Sequence, residues 1–231
     1  SFICIDDKIN KDLVKKLKSQ NFYTYGTNVN SNFLIKNINQ NKELTEFDLV
    51  VNVPNKKKLF IKKIKIPLLG AHNVRNSVAA AAVALTIGIS ISDIKGGLLN
   101  FRGVQRRFNK IFTYNGIDFY DDYAHHPTEI KVVLEGVNKV YEGYDKVCVF
   151  QPHRISRLKD LRKDFSFAFK DADTVILCPI YTAGEKIKLG FSYMKFAKEI
   201  IKNSKVKLFL IDNNIQLAKF IKKNMYGKKI V

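Results

Sequence analysis

Apolar residues follow two rhythms along this chain, and the change from one to the other divides it. Up to the turn at Gly103, short apolar stretches dominate. Phe2 to Ile5, Phe22 to Tyr25, Asn32 to Ile38 and Phe47 to Val53 read as strands. Lys58 to Ile66 alternates lysine with apolar residues until Pro67 closes the run. A helix is expected from Lys8 to Ser19. Leu68-Leu69-Gly70-Ala71-His72-Asn73-Val74-Arg75-Asn76 opens a long Ala-rich helix to about Ile87, with His72 or Asn73 as its cap. Ser90 or Ser92 caps another helix through Leu99.

From Phe108 onward strand and helix alternate. Ile111 to Tyr114 and Ile117 to Tyr120 flank Asn115-Gly116, a pair that favours a type I′ hairpin. Ile130, Val133, Leu134 and Val137 fall on one helical face. Lys146 to Phe150, Thr174 to Cys178 and Val206 to Ile211 are strands. Leu158, Leu161, Phe165 and Ala168 stripe one helix, and Ser192 to Ile201 and Ile215 to Lys222 form two more. Lys229 to Val231 reads as a strand cut short. Apolar strands alternating with helices predict an α/β fold with a parallel, doubly wound sheet. The junction between the two parts falls near Arg106 to Asn109, and no internal repeat or low-complexity linker interrupts the chain.

Composition narrows the class. At 231 residues, with 46% hydrophobic and 26% charged residues, the chain can bury a sizeable core and is not of disordered type. No apolar run reaches the ~20 residues that span a bilayer, so no membrane role is expected. No signal peptide precedes the fold, and the start at Ser1 rather than Met leaves the natural N-terminus open. Cys4, Cys148 and Cys178 are widely spaced and odd in number, which fits reduced thiols and a cytoplasmic location. The formal charge of +19 raises a noncatalytic basic nucleic-acid-binding module as an alternative. The lysines, however, are spread over nearly every helix and loop instead of clustering, so no nucleic acid is expected. Arginine behaves differently. Of seven, all but Arg162 stand in or beside polar turns, where a planar fork grips carboxylate or phosphate with two bonds.

Two of those turns concentrate chemistry. Asp121-Asp122-Tyr123-Ala124-His125-His126-Pro127-Thr128-Glu129 and Phe150-Gln151-Pro152-His153-Arg154-Ile155-Ser156-Arg157 each follow an apolar strand and open a helix. Read as neighbours in a parallel sheet, the two strand ends describe one anion-binding site. Arg154 and Arg157 stand one turn apart and point the same way. Plainer readings exist: Asp121 and Asp122 as caps of the helix that Pro127 begins, and the basic turn as merely solvated. The His pair lacks a third metal ligand at a recognisable spacing, and no Gly-x-Ser-x-Gly elbow is present. In the earlier turn, Asn73 offers a donor and acceptor that match an adenine edge, or simply belongs to a capped helix. Arg106-Arg107 before Phe108 clamps a phosphate, pins two domains, or is a solvated pair.

Together, and in this order, the four segments Gly70 to Asn76, Gly103 to Phe108, Asp121 to Glu129 and Phe150 to Arg157 resemble the Mur ligase family. The resemblance implies residues 1–106 as the second half of a central ATP-binding domain and 107–231 as a C-terminal Rossmann-like domain, truncated at its end. It implies ATP-dependent joining of L-alanine to the carboxylate of UDP-N-acetylmuramate through an acyl phosphate, in peptidoglycan synthesis. ATP and Mg²⁺ are the cofactors so implied. The family's Gly-x-x-Gly-Lys-Thr loop and its metal ligands are missing, which implies a fragment inactive alone. By match to the motifs, His72, Asn73, Asn76, Arg107 and Asp122 would serve the nucleotide. Tyr123, His125, His153, Arg154 and Arg157 would surround the muramyl carboxylate and the incoming amino acid, with no covalent nucleophile. The alternative within the family is the branch that recycles a murein tripeptide, whose later turn lacks His-Arg-x-x-Arg.

Overall fold

The computed structural model describes residues 1–17, 22–185 and 191–231. The chain divides into two compact units, Ser1–Gly103 and Val104–Val231. The first contains β1 (Phe2–Cys4), α1 (Lys8–Lys16), β2 (Tyr23–Gly26), β3 (Phe33–Gln40), β4 (Thr45–Val51), β5 (Leu59–Ile66), α2 (Ala71–Thr86) and α3 (Ile91–Asn100). Its sheet keeps chain order, with β1, β2 and β3 parallel and β4 and β5 antiparallel. Alternate strand residues Phe33, Ile35, Phe47, Leu49 and Ile64 are buried against Val74, Val78, Ala81 and Ala82 of α2. The small side chains of that helix face let it lie close on the sheet.

Two expectations change here. Helix α1 ends at Lys16, and the predicted extension over residues 18 and 19 lies outside the described residues. Neither His72 nor Asn73 caps α2. Gly70 does, with φ 93° and no side-chain bond, and both polar residues sit inside the first turn. The reason is local. Asn73 donates its amide back to the carbonyl of Leu69 at 2.7 Å, and the His72 ring packs over Gly70, where a Cβ would stand 2.7 Å from it.

The second unit contains β6 (Asn109–Tyr114), β7 (Ile117–Asp121), α4 (Pro127–Val140), β8 (Asp145–Phe150), α5 (Ile155–Asp160), α6 (Arg162–Phe167), β9 (Thr174–Leu177), α7 (Tyr193–Ser204), β10 (Lys207–Leu210), α8 (Asn214–Asn224) and β11 (Lys229–Ile230). Its sheet runs β10-β9-β8-β11-β7-β6, parallel except for β6. Asn115 and Gly116 turn the β6–β7 hairpin with φ of 51° and 74°, the two left-handed conformations a type I′ turn demands. Phe150, Leu158, Phe165, Phe169, Phe196 and Ile200 fill one side of the core.

The apolar stripe from Leu158 to Ala168 belongs to two short helices, not one. Leu161, at φ −109° and ψ 21°, ends α5 and starts α6. A one-residue bend leaves the spacing of buried positions intact, so periodicity could not reveal it. The second correction matters more for function. β7 and β8 are not neighbours, because the last strand, β11, inserts between them and pairs with both.

Candidate active site

The chain leaves β7 at Asp121 and must turn sharply to enter α4. Asp122 folds the turn by accepting the Ala124 N–H at 2.7 Å. Burial raises its carboxyl above the ordinary range, although the amides of Ala124 and Phe108 and the Arg107 charge pull the other way. Pro127 starts the helix and His126 caps it, its Nδ1 accepting the Thr128 N–H at 3.3 Å. Glu129 reaches back to accept the N–H groups of His125 and His126 at 3.0 and 3.1 Å. The plainer reading of Asp121 and Asp122 as caps of this helix does not hold, because His126 and Glu129 do the capping. That arrangement leaves Asp121 to meet the Arg106 Nε at 3.4 Å. Arg106 also lies over the Tyr123 ring at 4.6 Å, and its carbonyl accepts the Tyr123 N–H at 2.8 Å.

The β8 turn is clamped from the next strand over. His153 pairs with Tyr181 as a parallel bridge. Around it, Tyr181 donates to the Pro152 carbonyl and accepts from the Arg154 N–H, both at 2.8 Å. Arg154 takes φ 69° and offers α5 no side-chain cap. Glu185 supplies one instead, accepting the Ser156 N–H at 3.0 Å and the Ser156 hydroxyl at 2.6 Å. Those bonds, first the hydroxyl and then the amide, hold the Glu185 carboxyl below its ordinary range.

These two turns face a cavity of about 490 Å³ lined by Tyr123, His125, His153, Asp122, Arg106 and Tyr181 among others. The ring centroids of His125 and His153 are 6.0 Å apart; Tyr123 meets the His125 ring edge-on at 5.0 Å, and Tyr181 lies tilted against the His153 ring at 5.3 Å. The two turns therefore meet in one site although β11 parts their strands. A larger hollow of about 700 Å³ opens at the opposite ends of β8, β9 and β10, around Lys170, Lys205 and Lys207. It lies away from the carboxyl strand ends where open sheets gather ligands.

Of the sequence-predicted residues, Tyr123, His125, His153 and Asp122 line the cavity. Arg154 is exposed, and the half-buried Arg157 turns its guanidinium onto the His153 Nδ1 at 3.2 Å, so neither lines it. Arg107 is exposed, with its N–H on the Asn109 side chain at 2.8 Å. His72, Asn73 and Asn76 share the first turns of α2 in the first unit, with Asn76 exposed. Sequence reasoning missed Tyr181 and Glu185. Both follow β9, and only the β8–β9 pairing, which the sequence does not spell out, brings them to His153 and Ser156. Among the described residues no three His, Cys, Asp or Glu side chains stand close enough to hold a metal ion. None of their helices is long and apolar enough to cross a membrane.

Comparison with known proteins places the whole chain. Residues 1–84 match the Mur ligase middle domain, and residues 106–229 match the Mur ligase glutamate ligase domain. A UDP-N-acetylmuramate–L-alanine ligase of Pelagibacter ubique is 67% identical over all 231 residues, which make up 50% of its length. Among solved structures, the UDP-N-acetylmuramate–alanine ligase of Thermotoga maritima shares the fold at a TM-score of 0.73 and 23% identity, over 99% of this chain and 46% of that one. The MurF ligase of the same organism, solved with ADP, matches at a TM-score of 0.69 and 17% identity, over 100% and 48%. The chain thus spans about half the length of the curated relative it matches so well. With a family model covering most of each part, the chain belongs to the Mur ligase family.

Proposed function

We propose that this chain is the nucleotide-reading and amino-acid-accepting half of a ligase that joins L-alanine to the carboxylate of UDP-N-acetylmuramate at the expense of ATP, in peptidoglycan synthesis. The observation that carries it is the 67% identity to a ligase so named, spread over the full 231 residues. The cavity chemistry supports it. Two imidazoles, two phenols and an Arg-paired carboxylate suit a site that must seat a carboxylate beside an amine.

In this reading residues 1–106 are the second half of the ATP-binding domain and 107–231 the C-terminal domain. His72, Asn73 and Asn76 read the adenine, and Arg107 and Asp122 serve the nucleotide phosphates and sugar. Asn73 keeps its side-chain oxygen for that purpose, since its bond to Leu69 uses an N–H. Tyr123, His125 and His153 hold the muramyl carboxylate and the amino acid from the cavity wall, and Arg154 and Arg157 flank it from the β8 turn. ATP supplies the phosphoryl group that activates the carboxylate. Mg²⁺ would be held by residues beyond these 231, as would the phosphate loop, and the reaction would take place in the cytoplasm.

The test uses the full-length gene product. Alanine should be incorporated into UDP-N-acetylmuramate only with ATP, and Arg154→Ala should lower kcat/KM by about 100-fold, a loss typical of one charged transition-state contact. No alanine incorporation in the parent enzyme would refute the activity. Use of a murein tripeptide in place of alanine would move the chain to the recycling branch. Unchanged kinetics in the variant would remove Arg154 from the site.

A further inference from the structure

The two cavity imidazoles are fixed in opposite tautomers. The His125 Nδ1 lies 2.9 Å from the carbonyl oxygen of Tyr123. A carbonyl can only accept, so the proton sits on Nδ1 and the neutral ring presents Nε2 as a bare lone pair. The His153 Nδ1 lies 3.2 Å from a guanidinium nitrogen of Arg157, which can only donate. The His153 lone pair is therefore on Nδ1, and its proton is on Nε2. One cavity thus holds a ring nitrogen that accepts a proton and another that donates a hydrogen bond, on rings 6.0 Å apart.

The other candidates for a base are already engaged. Asp122 accepts the Ala124 N–H, Glu129 accepts two backbone N–H groups, and the His126 Nδ1 accepts that of Thr128. Arg106 lies over Tyr123 at 4.6 Å and carries no acceptor. Burial, and then the charges of Arg157 and Arg154, favour the neutral ring of His153.

Resting on the ligase reading, we propose that His125 is the general base that takes the proton from the attacking amine, and that His153 donates from Nε2 to the oxyanion formed opposite it. Alanine first gives one ammonium proton to solvent. Its nitrogen then attacks the acyl-phosphate carbon, the C–N bond forms, and the carbonyl π pair moves onto oxygen, where the His153 Nε2–H meets it. The surplus N–H proton passes to the His125 Nε2. Collapse breaks the bond to the phosphate oxygen, the electron pair leaves with inorganic phosphate, and the imidazolium returns its proton to water. The Nδ1–H bond to Tyr123 steadies the imidazolium as it forms.

His125→Asn tests this in the full-length gene product, because an Asn amide can keep the bond to the Tyr123 carbonyl while lacking Nε2. Rapid-quench single turnovers follow acyl-phosphate formation, trapped by borohydride reduction, separately from its capture by alanine. Capture by alanine should slow by about 100-fold or more relative to the parent enzyme, beyond any loss in acyl-phosphate formation that follows from the place of His125 beside the carboxylate. Hydroxylamine, which is mostly unprotonated at neutral pH and needs little help from a base, should be captured within about tenfold of the parent rate. Unchanged alanine capture would overturn the proposal, as would equal slowing of both nucleophiles, which marks mere misplacement. A parent enzyme that forms no acyl phosphate would refute the ligase reading itself.

Discussion

A guanidinium nitrogen of Arg157 donates to the Nδ1 of His153 at 3.2 Å, one helical turn back along the chain. That contact requires an unprotonated Nδ1, so Arg157 opposes the charged form of the ring it holds in place. Burial lowers the His153 pKa first, and Arg157 is the leading charge that adds to it. Arg157→Leu should therefore raise the His153 pKa, as read from the pH titration of its ring proton by NMR. A pKa that stays put or falls would show that the pair is not coupled.

Glu185 and Ser156 define the second prediction. Helix α5 begins after a residue at positive φ that provides no side-chain cap, and Glu185 satisfies its first amides from across the turn. Glu185→Ala removes both acceptors at once. The Ser156 amide should then exchange with solvent markedly faster than in the parent, while amides in the middle of β8 keep their protection. Glu185→Gln, which retains an acceptor oxygen, should fall between. Equal protection of Ser156 in all three proteins would show that the bond contributes nothing.

The alternation of apolar runs and the Asn115-Gly116 pair made the strands, helices and hairpin legible in the sequence, because local period and turn chemistry decide them. The Asp121–His126 turn was legible for the same reason: five polar or aromatic groups after an apolar strand have no core to fill. Strand order was not. The insertion of β11 between β7 and β8 is set by a strand of two residues at the far end of the chain, whose pairing has no local signature. The capping role of His126 was not legible, since a histidine cap and a histidine ligand look alike until the Thr128 amide is seen pointing at it. Tyr181 and Glu185 stayed hidden because their roles arise from a pairing distant in sequence.

Gly26 in the first unit is a sharp packing test. Its φ is 143°, and an added Cβ would stand 2.4 Å from the Asp6 Oδ1. That oxygen accepts the N–H groups of Thr27 and Asn28 at 2.7 and 3.1 Å, and the Arg75 guanidinium lies 3.8 Å from the other. Asp6 cannot withdraw without losing those bonds, and the backbone of an L-residue at this φ is strained. Gly26→Ala should cost about 2–3 kcal/mol in urea unfolding of the first unit. A loss under about 0.5 kcal/mol would mean that the Asp6 turn repacks freely.

The raised pKa of Asp122 makes a statement about pH. Burial is the main cause, so the folded state binds this proton more tightly than the unfolded chain does. Stability contributed by the group therefore falls as pH rises from the ordinary carboxylate pKa through the higher folded one, and the cost is complete above it. Asp122→Asn keeps an oxygen for the Ala124 N–H and removes the ionisation. Whatever constant penalty the amide brings, the variant's stability relative to the parent should improve as pH rises through and above the ordinary carboxylate range in urea titrations followed on amides of β7 and α4. A difference that is flat, or that runs the other way, would mean that the Ala124 and Phe108 amides together with Arg107 outweigh burial. Asp122 would then sit in the turn as a stabilised carboxylate instead of a strained one, better suited to pairing with a cation than to the hydroxyl of a sugar.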